Sequence, residues 1–267
     1  MRERFNRSRF AALLIAGLLI FSASASSQTS TVTVFAASSL TDAFAELGKA
    51  FTAKSGTTVT FQFAGSQTLR TQLENGAKAD VLASASVAQY DPLVKSGLLE
   101  TGAIFARNRL VVIAPKRGLG RVKTLADIGK PGVKVVVAQP SVPVGAYTRE
   151  FLESISRAGV YGADFGSRVL KNVVSEEQNV RQVALKVQLG EADAGVVYTT
   201  DVTPSLTAQV IQLAIPTRFN VVAAYPIGAL KTAASPSAAR AFVAFTLTGE
   251  ARGILKRWGF LPPAANP

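Results

Sequence analysis

Two serines, Ser39 and Ser66, each stand where a strand-like apolar run gives way to a helical pattern. The first lies in Phe35-Ala36-Ala37-Ser38-Ser39-Leu40-Thr41-Asp42, the second in Phe63-Ala64-Gly65-Ser66-Gln67-Thr68-Leu69. Ser39, with Asp42 three residues on, is close to a capping box, and a helix cap is also the expected structural role of Ser66. Capping and ligand binding are compatible, because a hydroxyl can accept from a backbone N–H while donating its own proton. Gly65 permits a close backbone approach beside Ser66. Three further junctions have the same shape. Gln139-Pro140-Ser141-Val142-Pro143-Val144-Gly145-Ala146-Tyr147 leads into a helix with backbone N–H groups uncovered. Glu176-Glu177-Gln178-Asn179-Val180-Arg181 is another helix entrance, and Val197-Tyr198-Thr199-Thr200-Asp201 presents a phenol at a strand end. Taken singly, Val144 and Val180 read as core residues and Tyr198 as packing.

Jointly the five junctions offer neutral donors: hydroxyls, a phenol and backbone N–H groups at helix N-termini. The first turn of a helix carries unpaired N–H groups and a partial positive charge of about half a unit. Several such ends converging would hold an anion without Lys or Arg. Each charge-assisted hydrogen bond contributes roughly 1.5–3 kcal/mol, so six or seven could offset dehydration of a compact dianion. Other chemistry is narrowed by composition. The chain has neither His nor Cys, which removes soft metal sites, Cys-His dyads and Ser-His-Asp triads. It also lacks any S-x-x-K motif for a Ser-Lys hydrolase. No catalytic residue and no cofactor is expected.

These junctions need an alternating scaffold, and the pattern supplies one. Strand-like runs at Thr31–Phe35, Val59–Phe63, Val81–Ala85, Leu110–Ala114, Val133–Ala138, Gly195–Tyr198 and Val221–Leu230 (interrupted by Pro226) are separated by helical patterns. Leu40, Phe44, Leu47 and Phe51 mark one helix; Phe151, Leu152 and Ile155 another; Val180, Val183, Ala184 and Val187 a third. A last helix is expected over Ala238–Trp258. This alternation predicts an α/β fold with mainly parallel sheets, whose ligands bind beyond the carboxyl ends of the strands. No Pro/Gly/Ser-rich linker divides the chain, which favours lobes joined by crossing strands, and no internal sequence repeat is visible.

The 267 residues are 48% apolar and 17% charged, a globular balance. Residues 1–25 stand apart: Arg2, Arg4, Arg7 and Arg9, then an apolar run Phe10–Phe21 short for a membrane span, then Ala23-Ser24-Ala25. This reads as a secretory signal peptide. With no cysteine, neither a disulfide nor a lipid attached at a cysteine is expected, so the destination is a periplasm or its equivalent, in soluble form. Removing residues 1–25 takes four Arg and one Glu from 29 basic and 17 acidic residues, leaving a net charge of +9. The basic residues are scattered, which argues against nucleic acid and fits a solvated surface that still helps an anion approach.

Several segments, in order, resemble the periplasmic molybdate-binding proteins of ABC transporters. They are Val34-Phe35-Ala36-Ala37-Ser38-Ser39-Leu40, Phe63-Ala64-Gly65-Ser66, Gly76-Ala77-Lys78-Ala79-Asp80-Val81, Val142-Pro143-Val144-Gly145, Val180-Arg181, Gly195-Val196-Val197-Tyr198 and Ile254-Leu255-Lys256-Arg257-Trp258-Gly259-Phe260. The resemblance spans essentially the whole chain after residue 25. It implies a two-lobed type II periplasmic-binding-protein fold with the ligand cleft between lobes. Lobe 1 is expected over 26–109 and 226–267, lobe 2 over 110–225. The resemblance implies that Ser39, Ser66 and Tyr198 donate through hydroxyls, the serines also through backbone, and that Val144 and Val180 donate through backbone N–H. Ser38 either adds a donor or shapes the turn. Two departures are visible: Gly-Ser-Gln follows Ala64 where serine-rich versions are familiar, and Val144 stands where alanine is common. The implied role is a monomeric, non-enzymatic carrier of molybdate or tungstate to a membrane permease. Molybdenum or tungsten would be held only as the oxyanion, with no direct metal-ion ligand. Other readings are the same fold with sulfate, thiosulfate or phosphate, a secreted serine hydrolase, and a basic surface-adhesion or nucleic-acid-binding module.

Overall fold

The computed structural model describes residues 30–116 and 120–264; the signal-peptide expectation for residues 1–25 lies outside them. The elements run β1 (Thr31–Ala37), α1 (Thr41–Ser55), β2 (Thr58–Ala64), α2 (Ser66–Glu74), β3 (Val81–Ala83), α3 (Val87–Lys95) and β4 (Ala103–Pro115). They continue β5 (Val135–Ala138), α4 (Pro143–Arg157), α5 (Phe165–Lys171), β6 (Val173–Glu177), α6 (Val180–Gln188), β7 (Ala194–Tyr198), α7 (Pro204–Thr207), β8 (Val210–Ala214), β9 (Val222–Ala229), α8 (Pro236–Thr246) and α9 (Gly249–Arg257).

The strands follow the order β2-β1-β3-β9-β4-β7-β5-β6, with β8 also paired to β4. Within this order lie two similar groups. β1 pairs in parallel with β2 and β3, and β5 pairs in parallel with β6 and β7. Each group forms because apolar strands covered by helices on their faces return through crossover connections. The long strand β4 joins them. Its first half, Ala103–Arg109, runs antiparallel to β9, and from Leu110 onward it pairs antiparallel with β7 and β8. The sheet is therefore mixed: β1–β3 and β5–β7 form parallel groups, and every pairing made by β4 or β9 is antiparallel. Two α/β lobes meet over those crossing strands.

The apolar markers behave as their spacing predicts. Leu40, Phe44, Leu47 and Phe51 are buried, as are Phe151, Leu152, Ile155, Val180, Val183 and Val187. Aromatic rings knit the first lobe: Phe44 packs on Phe61, Phe105 and Phe242, and Phe51 packs edge-on against Phe242.

Some local expectations are corrected. The last helix is two helices, α8 and α9, because Thr248 takes an N-cap position and its hydroxyl accepts from Ala251 N–H at 3.3 Å. Pro226 does not interrupt β9. It faces Ile104, where the register slips before Ala106, and a bulge tolerates a residue without an N–H. Helix α3 has no counterpart in the pattern, since Pro92 sits inside it. The strands β6 and β8 also have no counterpart in the pattern, because exposed positions recur along them and break the apolar run.

Candidate functional site

In each lobe the carboxyl ends of three neighbouring parallel strands point toward the other lobe. On one side the chain leaves β1 through a 3-10 turn, Ser38–Leu40, that holds Ser39. It leaves β2 through Gly65 into α2, whose first residue is Ser66, and it leaves β3 through the loop containing Ala85. On the other side β5 leads to Val144 in the first turn of α4, β6 to Val180 at the start of α6, and β7 ends on Tyr198. Ser39, Ser66, Val144, Val180 and Tyr198 all line one small pocket, together with Ser38, Ala37, Ala64, Gly65, Ala85, Val142 and Pro143. The space left among these walls is small and closely bounded. A larger hollow near Lys116 and Asp193 is lined by none of these residues. Ser38, too, is buried at the pocket wall.

The hydroxyls do not act as helix caps, contrary to expectation. Ser39 lies inside the 3-10 turn, the residue before α1 is Leu40, and Asp42 turns instead toward Arg181. Ser66 is the first residue of α2, one place past the cap position at Gly65. Its Oγ accepts the Ala85 backbone N–H at 3.0 Å, which leaves its proton for another acceptor. Ser39 Oγ lies 2.9 Å from the Tyr225 phenol, a contact between residues 186 apart in sequence.

The valines contribute backbone. In α4 the first helical bond runs from Ala146 N–H to the Val142 carbonyl, so the N–H groups of Val144 and Gly145 precede it in the first turn. In α6 the Asn179 side chain caps Gln182 N–H at 3.1 Å, leaving Val180 N–H as the leading donor. Gly145 is required here: a Cβ would fall 2.0 Å from the Gln139 carbonyl oxygen.

Tyr198 is buried, and its phenolic oxygen has no partner at hydrogen-bonding distance among the described residues. Burial raises its pKa well above the ordinary phenol value, so it remains a neutral donor. An unsatisfied buried hydroxyl costs about 1–3 kcal/mol, which an acceptor in the pocket would recover.

Among the described residues no charged side chain lines the pocket. The nearest cation of the α6 entrance, Arg181, is engaged elsewhere: its Nη2 donates to Asp42 at 2.6 Å and its Nε lies 2.9 Å from Asp201. Asp201 is fully buried and accepts the Tyr198 N–H at 3.1 Å. Burial, offset by Arg181 and that N–H, sets its pKa at about 6.

Sequence reading missed the residues behind the hydroxyls. Ala85 was read as part of a strand, yet β3 stops at Ala83 and the loop turns Ala85 N–H onto Ser66. Tyr225 and Asn108 sit on the crossing strands. The local signal for Asn108 is a neutral amide between two arginines, Arg107 and Arg109, on a long strand.

The lobes touch around the pocket. Gln67 Nε2 donates to the Gln178 carbonyl at 2.8 Å, Gln89 Nε2 to the Ser141 carbonyl at 3.0 Å, and Arg181 to Asp42. The arrangement is a closed cleft. Its donors come from both lobes and suit an acceptor-only solute that has given up its water. Among the described residues no group of His, Cys, Asp or Glu could hold a metal ion, and no helix is long and apolar enough to cross a membrane.

Known proteins match this architecture. The model of a family described as bacterial extracellular solute-binding protein matches residues 32–261. The molybdate-binding protein ModA of Mycobacterium tuberculosis is 41% identical over 234 residues, covering 87% of this chain and 85% of that protein. The solved periplasmic molybdate-binding protein of Azotobacter vinelandii superposes with a TM-score of 0.76 at 19% identity, covering 87% of this chain and 100% of that one. The sulfate-binding protein SubI of M. tuberculosis superposes with a TM-score of 0.78 at 19% identity, covering 87% of each chain. The fold is thus the two-lobed fold of periplasmic binding proteins, and the chain belongs to the bacterial extracellular solute-binding protein family, alongside its molybdate-binding members.

Proposed function

We propose that this protein captures molybdate, and also tungstate, in the cleft between its lobes and delivers it to an ABC permease. The reading is carried by the convergence of Ser39, Ser66, Val144, Val180 and Tyr198, donors all, on a pocket with no charged lining. The 41% identity to a molybdate-binding protein supports it. A fully deprotonated tetrahedral dianion presents only lone pairs, so the hydroxyls and free N–H groups of the wall can all donate to it. Phosphate at neutral pH still carries a proton and would need an acceptor, and no carboxylate lines the pocket. Sulfate is the serious competitor, given the likeness to a sulfate-binding fold. Molybdate's longer bonds to oxygen make size the discriminant.

The protein acts as a carrier, not an enzyme. The partners of Ser39 and Ser66 are a phenol and a backbone N–H, neither of which is a base able to activate a serine. On this reading lobe 1 comprises residues 26–109 and 226–267, lobe 2 residues 110–225, and a soluble monomer works in the periplasm without a cofactor, a lipid anchor or a nucleic-acid partner. Titration calorimetry with molybdate, tungstate, sulfate and phosphate tests the reading. Molybdate and tungstate should bind far more tightly than sulfate, and equal affinities would refute the selectivity. Ser39→Ala combined with Ser66→Ala should lower molybdate affinity by about 100-fold or more, at roughly 1.5 kcal/mol or more per lost charge-assisted bond. An unchanged affinity would misplace the site.

A further inference from the structure

We propose that Tyr225 and Asn108 are positioning residues that fix the Ser39 hydroxyl as a donor aimed into the pocket. The proposal rests on the oxyanion reading of that pocket. Both residues lie on the crossing strands, Asn108 in β4 and Tyr225 in β9, and both are 0% exposed. Neither lines the pocket.

The direction of each hydrogen bond can be worked out from fixed donors. The Asn108 amide oxygen accepts the Arg109 backbone N–H at 2.9 Å and the Thr199 hydroxyl at 3.0 Å. A backbone N–H can only donate, so this atom is the oxygen and the other end is the NH₂ group. That NH₂ donates to Thr200 Oγ1 at 2.7 Å and to the Tyr225 phenolic oxygen at 3.3 Å. Tyr225 therefore already accepts one hydrogen bond. Its single proton has the Ser39 oxygen, 2.9 Å away, as its acceptor. With Tyr225 donating, Ser39 Oγ accepts, and the serine's own proton is free to point at the solute. The reverse polarity would turn serine lone pairs toward an anion, which is unfavourable. Such chains also strengthen each successive bond.

The same amide ties down the turn after Tyr198 through Thr199 and Thr200. One buried asparagine on a crossing strand thus orients a donor in lobe 1 and steadies the strand end that carries a donor in lobe 2.

Tyr225→Phe tests the chain of bonds, because the ring keeps its edge-on packing against Phe105, Tyr198 and Phe260 while only the hydroxyl is lost. Calorimetry with sodium molybdate should show affinity falling about tenfold in Tyr225→Phe, close to 1.4 kcal/mol. In a Ser39→Ala background the same substitution should change affinity by less than about twofold, since the oriented hydroxyl is already gone. An unchanged Tyr225→Phe, or an equal loss in both backgrounds, overturns the proposal. Wild-type protein that binds no tetrahedral oxyanion would sink the oxyanion reading and this inference with it, whereas wild-type binding beside a silent Tyr225→Phe sinks this inference alone. If Tyr225→Phe does not fold, the wild type still decides. Its Tyr225 hydroxyl proton should appear by NMR as a slowly exchanging resonance close to the Ser39 methylene, and a fast-exchanging proton there overturns the assignment.

Discussion

The Tyr198 phenol concentrates the logic of the pocket in one residue. It is buried without a partner, an arrangement that lowers the stability of the unliganded protein and favours whatever accepts from it. Tyr198→Phe should therefore separate two quantities that usually move together. Molybdate affinity should fall by about ten- to a hundredfold, as expected for a lost hydrogen bond to a charged group. Thermal stability without ligand should hold or rise, since the orphaned hydroxyl is gone. Calorimetry and a thermal melt read the two effects. A variant that loses stability and keeps affinity would mean the phenol serves packing alone.

The elements matter through their ends. α4 and α6 contribute leading N–H groups because Pro143 opens the first and Asn179 caps the second, so both begin sharply at the cleft. The 3-10 turn after β7, Thr199–Asp201, is pinned by the Asp201 carboxylate on the Tyr198 N–H. Asp201 faces Arg181 at 2.9 Å, with Asp42, Tyr198 and Tyr225 the other titratable groups around this corner. Its folded pKa of about 6 lies above the unfolded value near 4. The folded state thus holds this proton more tightly, and ionisation of Asp201 subtracts stability as pH rises from about 4 to about 6, with no further change above. Asp127, Glu46 and Glu100 have lowered pKa values through Lys130, Arg257 and Arg240, so they act with the opposite sign and are lost as pH falls. Comparing melting temperatures of wild type and Asp201→Asn between pH 4 and 7 isolates the Asp201 contribution. The wild type should lose stability relative to the variant as pH rises through that window; parallel curves would refute the assignment.

At the scale of the whole molecule, the site exists only when the lobes are together. At Gly65 they meet closely: a Cβ there would come within 2.4 Å of the Gln178 carbonyl oxygen, a backbone atom of the other lobe. Gly65→Ala should leave each lobe folded yet hold the cleft ajar. Molybdate affinity should drop by at least about tenfold, because closure supplies the donors of the second lobe. Small-angle scattering should show a compaction with molybdate in the wild type that the variant lacks. Equal compaction in both would place the closing contact elsewhere.

Sequence by itself determined the strand–helix alternation, the apolar faces and the loops that carry donors, because period, turn residues and the absence of His and Cys are local or compositional properties. It therefore placed the junctions that carry Ser39, Ser66, Val144, Val180 and Tyr198, and the resemblance to molybdate-binding proteins singled those residues out within them. Tertiary structure alone decided what their side chains do. The serines looked like caps, since a cap is the nearest local partner, but Ser39 pairs with a phenol 186 residues away and Ser66 with the N–H of Ala85. Hydrogen-bond partners on separate strands depend on register and lobe closure, and neither is written in any short stretch of chain. The same holds for the antiparallel crossing of β4 and β9, which brings Asn108 and Tyr225 behind the pocket.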